Sequence, residues 1–340
     1  MSAPAARSPG TVLDRFGIGH TPSVRLPGVA RHGQVWLKAE YANPFGSVKD
    51  RTAAYLLAWA FRAGGEDVHV VESTSGNLGV ALAQLAEELG VPVTLVMDAS
   101  LPAARVREVR STGAEVNVVT SPRPGLTFRE SRIARARELG DRPGWLWLNQ
   151  YANEAGMRAH EETTGPELWD DLHGGVDAVV ASVGTGGTIC GIAAALRDRH
   201  PRPVVVGVEP AGSTISGGPD GDYLPAGAGM RGPSELIDGR RELVDYFAKV
   251  PDCLASAWSL ELRNRFGIDA GQTTGAALAV AALLADLYGI RVAVIAPDHG
   301  RSFLPVMRQL AADRPVCGDD ELIEMRPFGA TRPLLDRVLS

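Results

Sequence analysis

The chain alternates apolar, β-type runs with helix-spaced stretches almost throughout, and this alternation constrains its fold more than any other feature. Several of the runs are continuously apolar, which is typical of strands covered on both faces. The predicted strands are Val35–Glu40, Val68–Glu72, Val91–Met97, Glu115–Thr120, Trp145–Asn149, Ala178–Val183, Val204–Val208 and Val292–Ala296. Predicted helices include Asp50–Ala63, Leu78–Leu89, Ala103–Ser111, Thr188–Arg197 and Thr274–Leu287. The pattern predicts an α/β protein with mostly parallel sheets.

The composition narrows the class of protein. The chain has 340 residues, of which 45% are apolar, and a net charge of −6. These values indicate a globular protein and give no sign of a nucleic-acid partner. No apolar run approaches the ~20 residues that cross a membrane. The first ten residues lack the apolar core of a signal peptide, so we expect a loose N-terminal arm in a cytoplasmic protein. The cysteine spacing does not fit a zinc site, and no metal is expected.

Lysine is scarce, so the position of each lysine is informative. The chain has 34 basic residues, but its only lysines are Lys38, Lys49 and Lys249. An arginine cannot form an imine, whereas a lysine can. Lys49 follows a group of turn residues and stands in the first turn of a predicted helix, where the helix dipole lowers the pKa of an amine. Lys49 is therefore a candidate for amine chemistry, and the alternative is a solvated lysine at a helix start.

A glycine-rich loop, Ser182–Thr188, joins a predicted strand to a predicted helix. Glycines let the backbone wrap closely around an anion, and the N–H groups of a helix start bind phosphate. No lysine follows the glycines as in a Walker loop, and the loop lacks a dinucleotide fingerprint. A cofactor phosphate fits better, and a tight structural turn is the alternative. The candidate phosphate-binding residues are Gly184, Thr185, Gly186, Gly187 and Thr188.

Two further strand-to-helix loops carry hydroxyl groups. Residues Thr74 and Ser75, with the N–H groups of their loop, form a cradle sized for a carboxylate, and Asn77 can donate a hydrogen bond to a ring oxygen. Residues 270–277 place Thr273 at another helix start. Ordinary helix capping is the alternative for both loops. Open α/β sheets bind ligands at such junctions, so the shared position of these loops favours one ligand site.

These motifs together resemble the cysteine synthase, or O-acetylserine sulfhydrylase-like, family of fold-type-II pyridoxal-phosphate (PLP) enzymes. Residues 18–22 and 24–26 are similar to the family's opening, 43–51 to its PLP-lysine motif, and 74–79 to its substrate-carboxylate loop. Residues 184–188 are similar to its phosphate cup, and residues 160–169 are similar to a further family segment. The resemblance runs from about residue 18 to residue 304.

The resemblance implies a fold and a domain organisation. The fold would be the tryptophan synthase β-like α/β fold, with two open parallel-sheet domains and pyridoxal 5'-phosphate in the cleft. Residues 1–42 and 153–318 would form the large PLP-binding domain, residues 43–152 a small mobile domain, and residues 319–340 a C-terminal tail. A homodimer is expected from the family.

The resemblance also implies residue roles. Lys49 would bind the cofactor covalently and move the α-proton, and Asn77 would contact the ring 3′-oxygen. Thr273 would face the pyridine nitrogen, where the family usually has Ser. A neutral hydroxyl there does not force protonation of that nitrogen, which favours loss of a β-leaving group over transamination. The substrate carboxylate would be bound by Thr74, Ser75, Gly76 and Gln150.

The implied activity is β-replacement on an O-activated L-serine, either O-acetylserine or O-phosphoserine, through an aminoacrylate intermediate. The partners would be this amino-acid substrate and a small nucleophile. Three alternatives stay open. They are replacement by an amine, as in 2,3-diaminopropionate-type synthases, a β-eliminating lyase or dehydratase, and a non-catalytic scaffold. Besides Thr273, two further residues lie where the sequence departs from the family pattern. His299 is either a proton donor near the ring or a structural histidine, and Arg231 either binds an extra carboxylate or is solvated.

Overall fold

The computed structural model describes residues 7–101, 103–224, 227–312 and 323–329. It contains all eight predicted strands, and each end agrees within two residues. The strands, in chain order, are β1 Ser23–Arg25, β2 Gln34–Lys38, β3 His69–Ser73, β4 Val93–Asp98, β5 Glu115–Val119, β6 Trp145–Trp147, β7 Ala178–Ser182, β8 Val204–Pro210, β9 Tyr246–Val250, β10 Arg291–Ile295 and β11 Glu324–Pro327. The predicted helices are present as well.

The helices alternate with the strands in the manner that the sequence pattern predicts. They are α1 Pro9–Phe16, α2 Lys49–Gly64, α3 Asn77–Leu89, α4 Ala103–Arg110, α5 Phe128–Gly140, α6 Ala155–Ala159, α7 Gly165–Asp171, α8 Gly187–Leu196, α9 Glu235–Asp238, α10 Asp252–Phe266, α11 Gln272–Tyr288 and α12 Leu304–Ala312. A π-helical turn, His160–Thr164, joins α6 to α7. The described residues also include short 3₁₀ turns at Glu40–Ala42, Arg241–Leu243 and Arg301–Phe303. Among the described residues, no helix is long and apolar enough to cross a membrane.

The chain folds into two compact units. The smaller unit comprises Met1–Ile18, Asn43–Phe45 and Lys49–Gly156. Its sheet is parallel, with the strand order β5-β4-β3-β6. The whole of β4 is buried, including its polar residues Thr94 and Asp98, as expected of a strand that is covered on both faces. Helix α5 packs on this sheet, where Ala136 and Leu139 join Val71 and Val96 in one apolar cluster.

The larger unit comprises Gly19–Ala42, Gly46–Val48 and Met157–Ser340. Within its described residues, seven strands form one sheet in the order β1-β2-β10-β7-β8-β9-β11. The inner strands are parallel, and the edge strands β1 and β11 pair antiparallel with their neighbours. Helix α11 is buried along most of its length against one face of this sheet. Parallel strands covered by helices on both faces place their loops at one sheet edge, where ligands bind.

The contacts of the N-terminal segment differ from the sequence-based domain assignment. Residues 1–42 were expected in the larger domain, but α1 belongs to the smaller unit. Its side chains Val12 and Leu13 are buried, Phe16 contacts the ring of Phe45, and the guanidinium of Arg7 lies 4.4 Å from the ring centroid of Phe61. An apolar helix face has to be covered, and α2 of the smaller unit covers this one.

Among the described residues, three strands of the larger sheet were not predicted, namely β1, β9 and β11. Strand β11 lies in the predicted C-terminal tail and pairs with β9. Strand β9 was missed because Lys249 interrupts its apolar run. Lys249 stands opposite Glu209 of β8 in the sheet register, with Nζ 3.4 Å from Oε1. The partner strand neutralises the buried charge, so the lysine is compatible with an inner strand.

Candidate active site

The predicted phosphate cup is a tight turn at the carboxyl end of β7. Gly186 has φ of 85° and caps α8, and a Cβ atom at this residue would lie 2.2 Å from Cγ1 of Ile237. A Cβ atom on Gly184 would lie 2.7 Å from the carbonyl oxygen of Gly227. Only glycine fits at either position, because a Cβ atom would clash at both. The positive φ of Gly186 also favours glycine there. Among the described residues, no side chain caps the start of α8, so its N–H groups point to the space in front of the turn.

Neighbouring segments hold the cup by hydrogen bonds to its carbonyl oxygens. The Ser234 hydroxyl donates to the carbonyl of Thr185 over 2.6 Å, and the Gly229 N–H donates to the carbonyl of Val183 over 2.8 Å. These bonds leave the N–H groups of the turn for an anion. Sequence reasoning did not find Ser234, because it lies 49 residues from its partner and its only local signal is that of a helix cap.

The Thr273 turn lies beside the cup. The hydroxyl of Ser182, the last residue of β7, donates a 2.6 Å hydrogen bond to the carbonyl of Thr273. The hydroxyl oxygens of Thr273 and Thr274 are buried and have no partner among the described residues. A small cavity is lined by Thr273 together with Ser182, Gln272, Leu224, Asp252 and Ala276. Burial raises the pKa of Asp252, whose carboxylate accepts a hydrogen bond from the Leu224 N–H.

The smaller unit carries the candidate cofactor lysine. Lys49 is the first residue of α2 and is half-buried. Its neighbours Asp50 and Arg51 are fully buried, and Asp50 accepts a hydrogen bond of 2.6 Å from the Phe45 N–H, which fixes the turn before the helix.

The other two lysines are held in buried ion pairs. Nζ of Lys38 lies 3.0 Å from Glu167 and 2.9 Å from Asp171 and donates to the carbonyl of Thr21. Lys249 is paired with Glu209, as described for β9. Of the three lysines, Lys49 is the one whose residue surface is only partly covered.

The predicted carboxylate loop is organised around the hydroxyl of Thr74. This oxygen accepts hydrogen bonds from the N–H groups of Gly76, at 3.2 Å, and Gly79, at 3.0 Å. Because the oxygen is used as an acceptor twice, the hydroxyl proton of Thr74 is the part left to donate. Ser75 is exposed at the tip of the loop, and Asn77 is the first residue of α3.

Gln150 lies behind this loop. Its side-chain nitrogen donates to the carbonyl of Ser73 over 2.8 Å and lies 3.5 Å from Oε1 of Glu72. Both amide protons are therefore directed at protein acceptors, and the side chain ties the end of β3 to residue 150. Glu72 is fully buried, and desolvation raises the pKa of its carboxyl to about 8. Sequence reasoning missed Glu72, which read as the last residue of a strand.

His299 and Arg231, two of the residues that depart from the family pattern, both have protein partners. His299 is exposed, its Nδ1 lies 3.3 Å from the carbonyl of Asp269, and its ring centroid lies 5.0 Å from that of Tyr41. Arg231 is exposed and pairs with Asp220, whose Oδ2 lies 2.9 Å from its Nη2. Each geometry agrees with a structural role.

The predicted site residues fall into two groups, one in each unit. The larger unit brings residues 184–188 together with Thr273 through the Ser182 bond, and the smaller unit carries Lys49, Asn77, Gln150 and residues 74–76. The glycine turn fits a phosphate, and the orphaned hydroxyl of Thr273 fits a polar ring atom, so the residues present fit pyridoxal phosphate. Among the described residues, no group of three or more His, Cys, Asp or Glu side chains could hold a metal ion.

Comparison with known proteins agrees with this fit. A family model described as pyridoxal-phosphate dependent enzyme matches residues 15–298. O-acetyl serine sulfhydrylase isoform 3 from Entamoeba histolytica is 28% identical, with a TM-score of 0.78, and the match covers 88% of this chain and 95% of that chain. O-ureido-L-serine synthase is 31% identical, with a TM-score of 0.78 and coverages of 86% and 92%. O-acetylserine dependent cystathionine beta-synthase from Helicobacter pylori is 28% identical, with a TM-score of 0.78 and coverages of 86% and 96%.

The fold and the cup define an α/β enzyme of the fold-type-II class that uses pyridoxal phosphate. The chain belongs to the pyridoxal-phosphate-dependent enzyme family. The predictions of the fold class, the family, the enzyme class and the cofactor are thereby confirmed.

Proposed function

We propose that this protein catalyses β-replacement on an O-activated L-serine, either O-acetylserine or O-phosphoserine. The observation that carries the proposal is the turn at Thr273. Its carbonyl is bound by Ser182 at the end of the strand that leads into the cup, and its neutral hydroxyl is buried without a partner among the described residues, so it could serve the cofactor ring. The names of the three similar structures support it, because each name includes a serine whose side-chain oxygen carries an acetyl or ureido group. When bound, pyridoxal phosphate supplies an electron sink for the α-carbon of the amino acid.

Each residue then has a defined task. Nζ of Lys49 would hold the cofactor covalently, and the same amine would take the proton from the substrate α-carbon and later return it. The N–H groups and hydroxyls of residues 184–188 bind the phosphate, and Asn77 donates to the ring 3′-oxygen. The hydroxyl protons of Thr74 and Ser75 donate to the substrate carboxylate. Gln150 holds the loop in place through Ser73, and Gly76 does so through Thr74.

Thr273 favours replacement over transamination for an electrostatic reason. A carboxylate at its position would hold the pyridine nitrogen protonated and stabilise negative charge within the ring. A hydroxyl would not, so the bound cofactor would favour loss of the β-substituent over transamination. The overall reaction would exchange that substituent, which leaves with its bonding electron pair, for a nucleophile that bonds to the β-carbon.

The first experiment identifies the lysine. The protein loaded with pyridoxal phosphate is reduced with borohydride, digested, and mapped by mass spectrometry. We expect the phosphopyridoxyl group on the peptide containing Lys49 and none on those containing Lys38 or Lys249, which serve as internal controls. The matched variant Lys49→Arg keeps the charge but cannot form an imine, so it should show no label. A label on Lys38 or Lys249 would reject the assignment of Lys49. A wild-type protein without any label would also reject it and would favour the scaffold alternative.

The second experiment identifies the reaction. Visible absorbance is followed with O-acetylserine and, separately, with O-phosphoserine, and the donor that changes the spectrum identifies the leaving group. Sulfide or an amine that restores the resting spectrum is the nucleophile. Pyruvate formed at the rate of donor consumption in the presence of every nucleophile would mean a lyase instead.

We further propose a homodimer in the cytoplasm, on the basis of the family resemblance alone. Light scattering on the purified protein should give twice the mass of the 35.9 kDa chain, and a monomeric mass in the active protein would reject the dimer. Fractionation of cells that express the untagged chain checks the compartment.

A further inference from the structure

The family segment at residues 160–169 received no role from the sequence, and it begins with a fully buried histidine. His160 and Thr164 open and close the π-helical turn, and both are 0% exposed. Nδ1 of His160 lies 2.9 Å from Oγ1 of Thr164, and Nε2 lies 3.2 Å from Oγ1 of Thr188. Thr188 belongs to the phosphate cup, so this chain of three side chains leads from the protein interior to the cofactor's phosphate site. Single π-helical turns often occur at functional sites.

Two glycines press the turn against α8, the helix that begins in the cup. A Cβ atom on Gly191 would lie 2.3 Å from the carbonyl oxygen of Met157 and 2.7 Å from Cβ of His160. A Cβ atom on Gly165 would lie 2.5 Å from Cβ of Ala195. The contact leaves no room for larger residues, so the distance between His160 and Thr188 is set by backbone packing rather than by flexible side chains.

The donor and the acceptor in each of the two hydrogen bonds of His160 follow from the phosphate that Thr188 would bind. Phosphate oxygens accept hydrogen bonds, so the Thr188 hydroxyl serves the cup by donating its proton. Its oxygen then accepts a proton from its protein partner, which requires N–H at Nε2 of His160. A neutral imidazole with its proton on Nε2 has an acceptor at Nδ1, and the Thr164 hydroxyl donates to that acceptor.

We propose that His160 is a positioning residue for the cofactor phosphate. Thr164 sets the tautomer of His160, and His160 in turn holds the Thr188 hydroxyl with its proton directed at the phosphate. The inference rests on the proposed phosphate cup and adds the element that orients its one side-chain donor on α8. His160 acts through Thr188 and is itself buried away from the ligand.

The test separates phosphate recognition from general folding by comparing two ligands. Pyridoxal and pyridoxal phosphate form the same bond with a lysine, but only the second has the phosphate group. Apoprotein is titrated with each aldehyde, and the readout is the ratio of the two dissociation constants. We call the hydrogen-bonded chain Thr164–His160–Thr188 the relay. The variant His160→Leu removes the relay, and His160→Gln returns an N–H near the position of Nε2. Thr164→Val removes the tautomer lock at nearly constant volume, and Thr188→Val removes the donor itself.

We expect His160→Leu to weaken pyridoxal phosphate about tenfold, the effect of one charge-assisted hydrogen bond, and to leave pyridoxal within about twofold. His160→Gln should recover most of the loss, and Thr164→Val should show a smaller loss of the same kind. Combining His160→Leu with Thr188→Val should cost no more than Thr188→Val alone, because the two residues act in series.

Equal weakening of both ligands by His160→Leu would overturn the proposal, because that result marks a purely structural residue. An additive double variant would overturn it too. If His160→Leu does not fold, Thr164→Val is used in its place. An unchanged ratio of the two dissociation constants in Thr164→Val would then reject the relay. A wild-type protein that binds both ligands equally would reject the phosphate cup, and the relay with it. A wild-type preference for the phosphate that His160→Leu leaves unchanged would reject the relay alone.

Discussion

The hydroxyl of Ser182 donates a 2.6 Å hydrogen bond to the carbonyl oxygen of Thr273, 91 residues further along the chain. Ser182 ends the strand that leads into the phosphate cup, and Thr273 stands in the first turn of α11. One bond therefore joins the residues proposed to hold the phosphate to the residue proposed to face the ring. The spacing of these two groups has to match a rigid cofactor, so the bond is expected to matter for affinity.

Removal of this bond should lower both stability and cofactor affinity. In Ser182→Ala the Thr273 carbonyl loses its donor, and we expect a loss of about 1 to 2 kcal/mol in the free energy of unfolding. The dissociation constant of pyridoxal phosphate should rise several-fold. Ser182→Thr keeps the donor and is the matched control. Denaturant unfolding and cofactor titration measure the two effects, and an unchanged affinity in Ser182→Ala would show that the bond has no part in the site.

The orphaned hydroxyl of Thr273 leads to opposite effects in the free and the loaded protein. Thr273→Val replaces a buried hydroxyl that has no partner among the described residues with a methyl group. The cofactor-free protein should therefore gain about 1 kcal/mol in the free energy of unfolding, while the affinity for pyridoxal phosphate should fall.

Thr274→Val is the control for this prediction. The hydroxyl of Thr274 is also buried without a partner in the described part of the chain, but it has no proposed ligand role. The variant should stabilise the free protein without changing the affinity. Denaturant unfolding with and without cofactor measures both quantities. Equal effects of the two variants on affinity would remove the special role of Thr273.

Glu72 should make stability depend on pH. Burial raises the pKa of its carboxyl to about 8, above the ordinary value of 4.5, so the folded state binds more protons than the unfolded state between these limits. Stability from the protonated carboxyl is complete below about pH 4.5 and is lost as pH rises toward 8, by at most about 1.4 kcal/mol per pH unit.

Glu72→Gln has no proton to lose, so its free energy of unfolding should fall less than that of the wild type between pH 5.5 and 7.5. Denaturant unfolding at three pH values in this window measures the slopes. Parallel slopes for the two proteins would contradict the raised pKa.

Lys38 should support the fold and have no part in cofactor binding. Lys38→Met leaves the carboxylates of Glu167 and Asp171 without their buried counter-charge, and we expect a loss of about 3 kcal/mol. This value is at the low end for a buried pair, because Asp171 is partly exposed to water. Protein that still folds should be labelled at Lys49 after borohydride reduction as fully as the wild type. If Lys38→Met had the stability of the wild type but less label, the result would contradict the structural role of Lys38 and the cofactor role of Lys49.

Much of the fold was predictable because its signals are local. The apolar runs and glycine turns of the sequence match the strands from Val35 to Ile295 and the start of α8. The strand at Tyr246–Val250 was not predictable, because its Lys249 is tolerated only through Glu209, which lies 40 residues earlier in the chain. The position of α1 was assigned to the wrong unit for a similar reason. An amphipathic helix indicates that one face is covered but not by which element.

The site divides in the same way. The sequence by itself indicated the chemical groups of the site, namely one lysine at a helix start, a glycine turn of the kind that can bind an anion, and hydroxyls on other loops. Only the tertiary structure decided that Lys38 and Lys249 are neutralised in ion pairs, that Ser182 joins the cup to Thr273, and that a buried His160 contacts Thr188. These decisions depend on contacts between residues 28 to 133 positions apart. Periodicity encodes which face of an element is apolar, and it carries no record of the distant side chain that comes to lie against that face.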